Sequence, residues 1–263
     1  MIRLNHWDIS SRFIKVWRRN LLVYRETWKV NFLPPLLEPI LYLLAFGMGL
    51  GALVGKIQYD GRQVNYVSFI APALLSVNIM YNAFFENTFA SFVRMYYQKT
   101  FDAMMTTPLT LDEVTAAEIV WGATKSVIAT AVMLTVISAF GLIQYPAGLL
   151  ILPLAFLGGI AFGSIGMFFT GIIPRIELFN LPIFLFITPM FLFGGTFFPV
   201  ENLPGWAQVL AHIFPLTHLV NITRCLSFSH SDSSILIGLA YLVVFSLVFF
   251  PLALRVMRKR LIH

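Results

Sequence analysis

The chain has 263 residues, of which 58% are hydrophobic and only 11% are charged, and its formal net charge is +6. Soluble domains carry about 25% charged residues, so this composition excludes a soluble enzyme and predicts a chain that lies in a lipid bilayer. The basic residues cluster beside apolar stretches rather than on one soluble face, which argues against nucleic acid as a partner. The single cysteine, Cys225, excludes an internal disulfide.

Residues 1–29 precede the first long apolar stretch and contain seven lysines and arginines, a pattern unlike that of a signal peptide. Ile9, Phe13 and Trp17 recur at i, i+4 and i+8, and most of the basic residues lie off that face. This spacing predicts an amphipathic helix in the headgroup plane, a depth that Trp7 and Trp17 also favour. The alternative is a solvated leader.

Six apolar stretches reach the length of about 20 residues that a bilayer-spanning helix needs. They cover residues 32–54, 64–93, 116–143, 147–173, 178–198 and 234–254. Residues 199–232 are too polar and too often interrupted by proline for an ordinary span, and we expect short re-entrant helices there. A plain outer loop is the alternative. The fold class predicted is therefore an all-α membrane protein with a six-helix transmembrane domain at residues 30–263.

The orientation follows from the lysines and arginines outside the spans. Fourteen lie in the N-terminal segment, in the loops after spans two and four and in the C-terminal tail, whereas the opposite side has only Lys56, Arg62 and Arg224. Because basic residues accumulate on the cytoplasmic side, we expect both termini in the cytoplasm.

The loop after span two, predicted at residues 94–114, contains a short helical pattern. Phe101, Met104 and Met105 fall at i, i+3 and i+4, and Pro108 ends the helix. Thr110 and Glu113 have the spacing of a capping box that starts the next helix. A methionine-rich face beside the membrane suits a partner protein, but packing on the chain's own bundle fits equally well.

A second motif follows span five. It reads Phe193-Gly-Gly-Thr-Phe-Phe-Pro-Val-Glu-Asn-Leu-Pro-Gly-Trp206 and is followed by Pro215-Leu-Thr217. Pro199 and Pro204 break helices, and the Leu-Pro-Gly-Trp sequence marks the start of a helix too short to span before Pro215.

These two segments resemble the ABC-2 type transporter permeases. The outer run from Phe193 to Trp206, with its Gly194-Gly195 pair, resembles the family signature, and the run from Asp102 to Leu109 is similar to the family's coupling-helix region. Asp102 stands where the family usually has glutamate, and methionines stand where it has leucines. The stretches 85–95 and 118–125 further resemble the branch that exports lipooligosaccharides (nodulation factors).

The resemblance implies the membrane subunit of an ATP-driven exporter in the bacterial inner membrane. Its substrate would be amphiphilic, a lipid-linked or lipo-oligosaccharide. Two permease copies pair with two copies of a separate ABC ATPase, which contacts the coupling residues Phe101, Asp102, Met104, Met105 and Pro108. ATP and Mg²⁺ belong to that partner. The sequence agrees, because it has no Gly-x-x-x-x-Gly-Lys-Ser/Thr loop, and we expect no cofactor and no catalytic residue in this chain. The alternatives are an ABC-2 exporter of hydrophobic drugs, an intramembrane transferase, and a secondary carrier or channel.

Charged groups at membrane depth usually face a bundle interior or water. Glu38, Glu86, Glu118 and Lys125 are therefore candidates for a gate or substrate path. Hydrogen bonding between helices and snorkelling toward phosphates are the alternatives.

Aromatic side chains supply two further candidates. Phe193 and Phe197 belong to the phenylalanine-rich fifth span and are candidates for guiding an acyl chain or sugar face, with lipid-facing packing as the alternative. His212 and His218 lack further ligands at suitable spacing, so the sequence predicts no metal site.

Overall fold

The computed structural model describes residues 9–59, 61–229 and 234–261, so the prediction for Trp7 lies outside the described residues. The described residues form ten helices of six or more residues and one β-hairpin. They are α1 Phe13–Glu26, α2 Trp28–Val54, β1 Lys56–Tyr59, β2 Arg62–Asn65, α3 Tyr66–Tyr97, α4 Thr100–Met105, α5 Leu111–Ala139, α6 Ala147–Ile172, α7 Ile176–Phe193, α8 Gly205–Ile213, α9 Pro215–Ser227 and α10 Ser234–Leu261.

Six helices of the described chain are long and apolar enough to cross a membrane: α2, α3, α5, α6, α7 and α10. This confirms the predicted set of six spanning stretches. The buried share of their most apolar 18-residue stretch differs sharply. It is 78% in α3, but only 12% in α2, 22% in α7 and 17% in α10. We infer that α3 forms the centre of the bundle, whereas α2, α7 and α10 present their apolar side chains to lipid.

The centre is held by close contacts between α6 and its neighbours α3, α5 and α10. A Cβ atom on Gly159 would lie 2.6 Å from the Cα of Ala123 in α5, and one on Gly163 would lie 2.9 Å from the side-chain nitrogen of Asn87 in α3. Any larger residue at these two positions would force the helices apart, so small residues set the helix spacing here.

Several element boundaries differ from the sequence prediction. The polar turn predicted after span one is an antiparallel β-hairpin that pairs Lys56 with Asn65, so the second span begins at Tyr66 rather than at residue 64. The all-α prediction missed this hairpin because its two strands have only four residues each, too few for a strand pattern to stand out.

The loop after α3 is also shorter than the predicted range 94–114. Helix α3 continues through Arg94 to Tyr97, and α5 begins at Leu111. The predicted capping box is confirmed, since the Thr110 side chain accepts from the Glu113 backbone N–H and the Glu113 carboxylate accepts from the Thr110 N–H. Helix α7 ends at Phe193 rather than at residue 198, because Gly195 adopts a φ of +74° that interrupts the helix.

Helices α8 and α9 meet at an 85° bend. Arg224 near the end of α9 donates to the carbonyls of Gly195 and Thr196, which directly follow α7. The Gln144 N–H, in the loop after α5, donates to the Ser227 carbonyl at 2.9 Å. The α8–α9 segment therefore starts and finishes at the same end of the bundle, which we call the hairpin end because β1 and β2 lie there.

At the opposite end, which we call the basic end, α1 packs along α5. Val16 and Asn20 are buried against this neighbour, and the indole N–H of Trp17 donates to the Thr124 hydroxyl at 3.0 Å. The predicted apolar face included Ile9, which is wrong: the helix begins only at Phe13, so Ile9 is out of register and remains 38% exposed.

Candidate functional site

A cleft runs along the side of the bundle between α1 and α2 on one side and α3 and α5 on the other. It consists of two adjoining cavities of about 460 and 650 Å³. Both are lined by Asn31, Glu86, Phe89, Ala90 and Lys125, so we describe them as one cleft with an inner part toward the basic end and a deeper part along α2. The cleft brings together residues from four helices.

The shape of α3 places its charged residues in this cleft. Residues Glu86–Ala90 and Val93–Tyr97 form π-helical turns within α3, and the Ser91 hydroxyl donates to the Glu86 carbonyl at 3.1 Å. Such turns are rare and are found frequently at functional sites. Here they locally widen α3 where its polar side chains meet α5.

Glu86 and Arg94 are the centre of a buried network of ion pairs. The Glu86 carboxylate accepts from the Lys125 ammonium at 2.9 Å and from the Trp121 indole N–H at 3.0 Å, and it pairs with the Arg94 guanidinium at 2.8 Å. Arg94 also pairs with Glu118 at 2.5 Å. Each of these four charges thus has an opposite charge in contact, which a buried ion requires.

Glu118 is fully buried behind the cleft. Its carboxylate also accepts from the Ser91 hydroxyl at 2.7 Å and from the Asn20 amide at 2.9 Å. The second bond ties α1 to the network. Tyr24, also on α1, contacts the Trp121 ring edge-on at 5.6 Å. Burial raises the pKa of the Tyr24 phenol, and the negative charge of Glu86 adds to this.

The deeper part of the cleft is lined by polar but mostly uncharged groups. Its lining residues include Glu38, Tyr42, Asn78, Tyr81, Asn82 and Phe85. The Asn82 amide donates to the Asn78 carbonyl at 3.0 Å, and the Tyr81 and Phe85 rings stack at 5.4 Å. Amide and phenol groups at membrane depth offer both donors and acceptors to a polar guest.

The structure brings together four of the six candidates for the substrate path. Glu38, Glu86 and Lys125 line the cleft, and Glu118 belongs to the ion-pair network behind it. Phe193 and Phe197 lie elsewhere. The Phe193 ring contacts Trp206 at 5.9 Å and the Phe197 ring contacts Phe46 at 5.8 Å. The roles of all six in a gate or path stay predictions.

The short helix α4 packs on its own bundle. Phe101 is fully buried, Met104 is 9% exposed, and Met105 packs against the same hydrophobic cluster. The predicted apolar face is therefore used within the chain rather than offered to a partner. Asp102 and Pro108 are exposed, so they are the coupling candidates that a partner protein can reach. Their role in coupling stays a prediction.

Both terminal segments are tied to the start of α5. The Ser10 N–H donates to Glu113 at 3.1 Å, and the Arg12 guanidinium donates to the Pro108 carbonyl at 2.7 Å. From the other terminus, Arg258 forms an ion pair with Asp112. The α4–α5 turn is thus held between the two ends of the chain.

The Pro and Gly residues of the outer motif shape the chain after α7. Gly194 approaches the Met190 carbonyl so closely that a Cβ there would lie at 2.4 Å, and the Pro204 carbonyl accepts the first hydrogen bonds of α8. Pro215 is the first residue of α9. Pro199 precedes a short 3₁₀ turn, and Trp206 is 66% exposed.

Three residues that organise these sites were not predicted from the sequence. Arg94 was counted only as a loop charge and Arg224 only as an outer charge, and Asn20 was not considered. Arg94 follows Glu86 by eight residues, which is about two helical turns and places both on one face. Arg224 stands out as the only lysine or arginine between residues 178 and 254. Such a residue must find partners.

Comparison with known proteins assigns the family. The family model for ABC-2 type transporters matches residues 11–228. The chain belongs to the ABC-2 type transporter family. The chain is similar to Nodulation protein J of Sinorhizobium fredii, with 33% identity over 98% of this chain and 95% of that protein, and to Nodulation protein J of Rhizobium leguminosarum bv. trifolii, with 34% identity over 97% and 95%. It is also similar to the inner membrane transport permease YadH of Escherichia coli K12, with 23% identity over 89% of this chain and 90% of that protein.

These matches confirm the resemblance to ABC-2 type permeases that the two motifs indicated. The chain is a multi-pass membrane subunit of a transporter, and membership of the family implies an ABC ATPase as its partner. Among the described residues, no three histidine, cysteine, aspartate or glutamate side chains lie close enough together to hold a metal ion.

Proposed function

We propose that this chain is the permease subunit of an ATP-driven exporter that moves an amphiphilic glycolipid, a lipid-linked or lipo-oligosaccharide, out of the cytoplasm or the inner leaflet. The observation that carries the proposal is the near full-length similarity to Nodulation protein J. A cleft at membrane depth, lined by amides, phenols and paired charges, supports a substrate with a polar headgroup.

The proposed assembly has two permease copies and two copies of an ABC ATPase in the bacterial inner membrane, with ATP and Mg²⁺ held by the ATPase. In this orientation the basic end faces the cytoplasm, as the distribution of lysines and arginines favours. The α1 helix then lies at the cytoplasmic headgroup level, and the exposed side of α4 around Asp102 faces the ATPase. The similarity to a protein named an inner membrane transport permease supports this location.

The α8–α9 segment is proposed to be re-entrant from the outer side. Support comes from its 85° bend and from the contacts that place Arg224 beside Gly195. Backbone that bends at membrane depth is stable only against protein, and α9 is largely buried against α3 and α10.

The test is reconstitution of the chain with its ABC ATPase in proteoliposomes, followed by measurement of the movement of a fluorescent lipo-oligosaccharide. We expect movement that requires ATP and both subunits. Movement driven by the chain alone, or ATPase activity that rises with hydrophobic drugs but not with the glycolipid, would contradict the proposal and favour a carrier or a drug exporter.

A further inference from the structure

A crevice opens at the basic end, between the last turn of α6 and the last turns of α10. Its volume is about 440 Å³, within the range of roughly 300–1,000 Å³ that small-molecule sites have. It is lined by Gly171, Ile172, Pro174, Val256, Lys259 and Arg260. None of these residues lines the cleft between α1, α2, α3 and α5, so the crevice is a separate feature of the bundle.

The floor of the crevice is a close approach of two helices. A Cβ atom on Gly171 would lie 2.7 Å from the Val256 side chain and 3.2 Å from the backbone nitrogen of Met257. Directly beyond this contact α6 ends, because the next residue is extended and Pro174 has no N–H to continue the helix. The chain turns away there, and the last turns of α10 stay uncovered on this side.

The crevice lies at the depth of lipid headgroups. Residues 234–254 of α10 are apolar and extend about 31 Å as a helix, which matches a hydrocarbon core of about 30 Å. Lys259 and Arg260 follow within the next two turns. Their charged groups are therefore placed where the phosphates of the leaflet at the basic end lie.

The positive charge of the crevice is not neutralised within the described part of the chain. The lining has two basic residues, Lys259 and Arg260, and no carboxylate. Neither forms an ion pair among the described residues, whereas the neighbouring Arg258 pairs with Asp112. The crevice is thus suited to an anion, because two uncompensated cations attract negative charge at the membrane surface.

The Arg260 guanidinium is held in position by the protein. Its Nη1 atom donates to the carbonyls of Thr170 and Ile173 at the end of α6, and the group lies 5.3 Å from the centroid of the Phe92 ring. The Nε and Nη2 N–H groups take part in no hydrogen bond within the described residues. A guanidinium fixed at one nitrogen has little freedom left to lose when its other donors bind a phosphate.

An apolar seam continues from the crevice toward the middle of the bilayer. Ile172 is 54% exposed beside it. One helical turn deeper in α6, the Phe168 ring contacts Phe249 of α10 at 6.1 Å, and Phe249 stacks on Phe245 at 4.4 Å. Val248, next to them, is 56% exposed. An acyl chain that lies along this seam covers apolar side chains directly below the two cations.

We propose that this crevice binds an anionic phospholipid of the leaflet at the basic end, with the phosphate between Lys259 and Arg260 and an acyl chain along the seam. Basic pockets between transmembrane helices are typical sites for such headgroups. A free phosphate would use the cations but not the seam, and so would an acidic protein surface, whereas a phospholipid uses both. The inference goes beyond the proposed export function, since this lipid stays bound and is not the molecule that is moved.

The test uses two photoactivatable lipids with the same diazirine-bearing acyl chain, a phosphatidylglycerol and a phosphatidylcholine. The purified full chain is placed in nanodiscs of unlabelled phosphatidylcholine and irradiated with each probe, and adducts are located by mass spectrometry. We expect the phosphatidylglycerol probe to label α6 and α10 around Phe168 and Phe249 about fivefold more than the phosphatidylcholine probe. Equal labelling by both probes overturns the inference. Displacement of the probe by inorganic phosphate overturns it as well, because the cations would then bind a free anion.

Variants at Lys259 separate charge from folding, since this side chain forms no hydrogen bond or ion pair among the described residues. Lys259→Gln should lower labelling by phosphatidylglycerol about fivefold, the effect of one basic residue near an anionic surface. Lys259→Arg keeps the charge and should label like the wild type. The matched control is Lys15→Gln, an exposed lysine of α1 at the same end, which should leave labelling of α6 and α10 unaltered. Unaltered labelling in Lys259→Gln, or an equal loss in Lys259→Arg, overturns the inference.

The same experiment on the assembled complex decides between a lipid and a protein occupant. With the ABC ATPase bound, we expect the phosphatidylglycerol probe to label the seam as before, because Ile172 and Val248 are exposed on the side of the bundle rather than at its end. Loss of the labelling when the ATPase is added would assign the crevice to the ATPase and overturn the inference.

Discussion

Arg224 is the largest fully buried side chain of the described residues. Its guanidinium donates to the carbonyls of Phe69, Gly195 and Thr196 at 3.1, 2.6 and 3.1 Å, and it lies 3.6 Å from the centroid of the Phe69 ring. One side chain thus joins α9 to the start of α3 and to the turn after α7. Arginine suits this position because its planar fork can serve several carbonyls at once.

We expect Arg224→Gln to lower the free energy of unfolding by roughly 2–4 kcal/mol, because three buried carbonyls lose a charged donor. The measurement is thermal unfolding of the purified protein in a mild detergent. Arg175→Gln, an exposed change in the loop between α6 and α7, is the matched control and should leave the melting temperature near the wild-type value. Equal melting temperatures for both variants would show that Arg224 does not hold the outer segment in place.

The Glu86–Lys125 pair lends itself to a double-mutant cycle. Lys125→Met leaves Glu86 with Arg94 and Trp121 as partners, so Glu86 loses only part of its stabilisation. Glu86→Gln together with Lys125→Met removes both charges of the pair. We expect a coupling energy of about 0.5–3 kcal/mol from the four melting curves, the range found for residues in direct contact. A coupling energy near zero would mean that the two side chains do not interact in the folded protein.

At the residue scale, the sequence predicted which positions carry charge at membrane depth but not their partners. Glu118 and Lys125 are seven residues apart, which places both on one face of α5, and that face meets α3. The pairing of Arg94 with Glu118 depends on the π-helical turns of α3, which have no recognisable sequence pattern. The contact of Asn20 depends on how α1 docks, and docking is a property of two surfaces rather than of one stretch of sequence.

At the scale of single elements, α4 offers its exposed side to solvent. Asp102 is 55% exposed, and Lys99 is its nearest basic group at 4.0 Å. We expect Asp102→Lys to abolish substrate-stimulated ATP hydrolysis in the complex while leaving membrane insertion and melting temperature unchanged, because the side chain makes no buried contact. Glu201→Lys, also exposed but at the hairpin end, is the charge-reversal control. Normal stimulation in Asp102→Lys would exclude α4 as the coupling element.

Burial explains why a change at Met104 is a poor test of coupling. Met104→Glu places a carboxylate in a cluster with Phe101 and Val114, so we expect it to destabilise the protein and to reduce its amount in the membrane. The sequence identified α4 as an apolar helix, but it could not decide which surface the apolar side covers. In the structure, the apolar side of α4 packs against the chain's own core.

The start of α5 combines a helix cap with an anchor for the N-terminal segment. Thr110→Ala should cost about 1 kcal/mol through loss of the cap and should leave the Ser10 N–H protected. Glu113→Ala keeps the Thr110 cap but removes the carboxylate that accepts from the N–H groups of Thr110 and Ser10, and we expect hydrogen exchange at Ser10 to rise about fivefold or more. Similar exchange at Ser10 in both variants would show that Glu113 does not hold this segment.

At the scale of the whole molecule, composition and apolar length were sufficient to predict six spanning helices, because lipid leaves a chain few alternatives to long apolar helices. Composition and apolar length do not decide whether the outer segment, α8 and α9, crosses the membrane. The 22 residues of α8 and α9 together are apolar enough to pass as one span, and only the bend before Pro215 and the contacts of Arg224 separate the two possibilities.

Cysteine labelling distinguishes a re-entrant segment from a seventh span. In a Cys225→Ala background, single cysteines replace Asn202 before α8, Ser229 after α9, or Lys259 near the C-terminus. These three positions are exposed and described. Because α8 and α9 begin and end at the same end of the bundle, we expect a membrane-impermeant maleimide to label the 202 and 229 positions in spheroplasts and to reach the 259 position only after the membrane is permeabilised. If only one of positions 202 and 229 is labelled in spheroplasts, α8 and α9 cross the membrane as one broken span. The C-terminus would then lie outside, away from the cytoplasmic side that its basic residues favour.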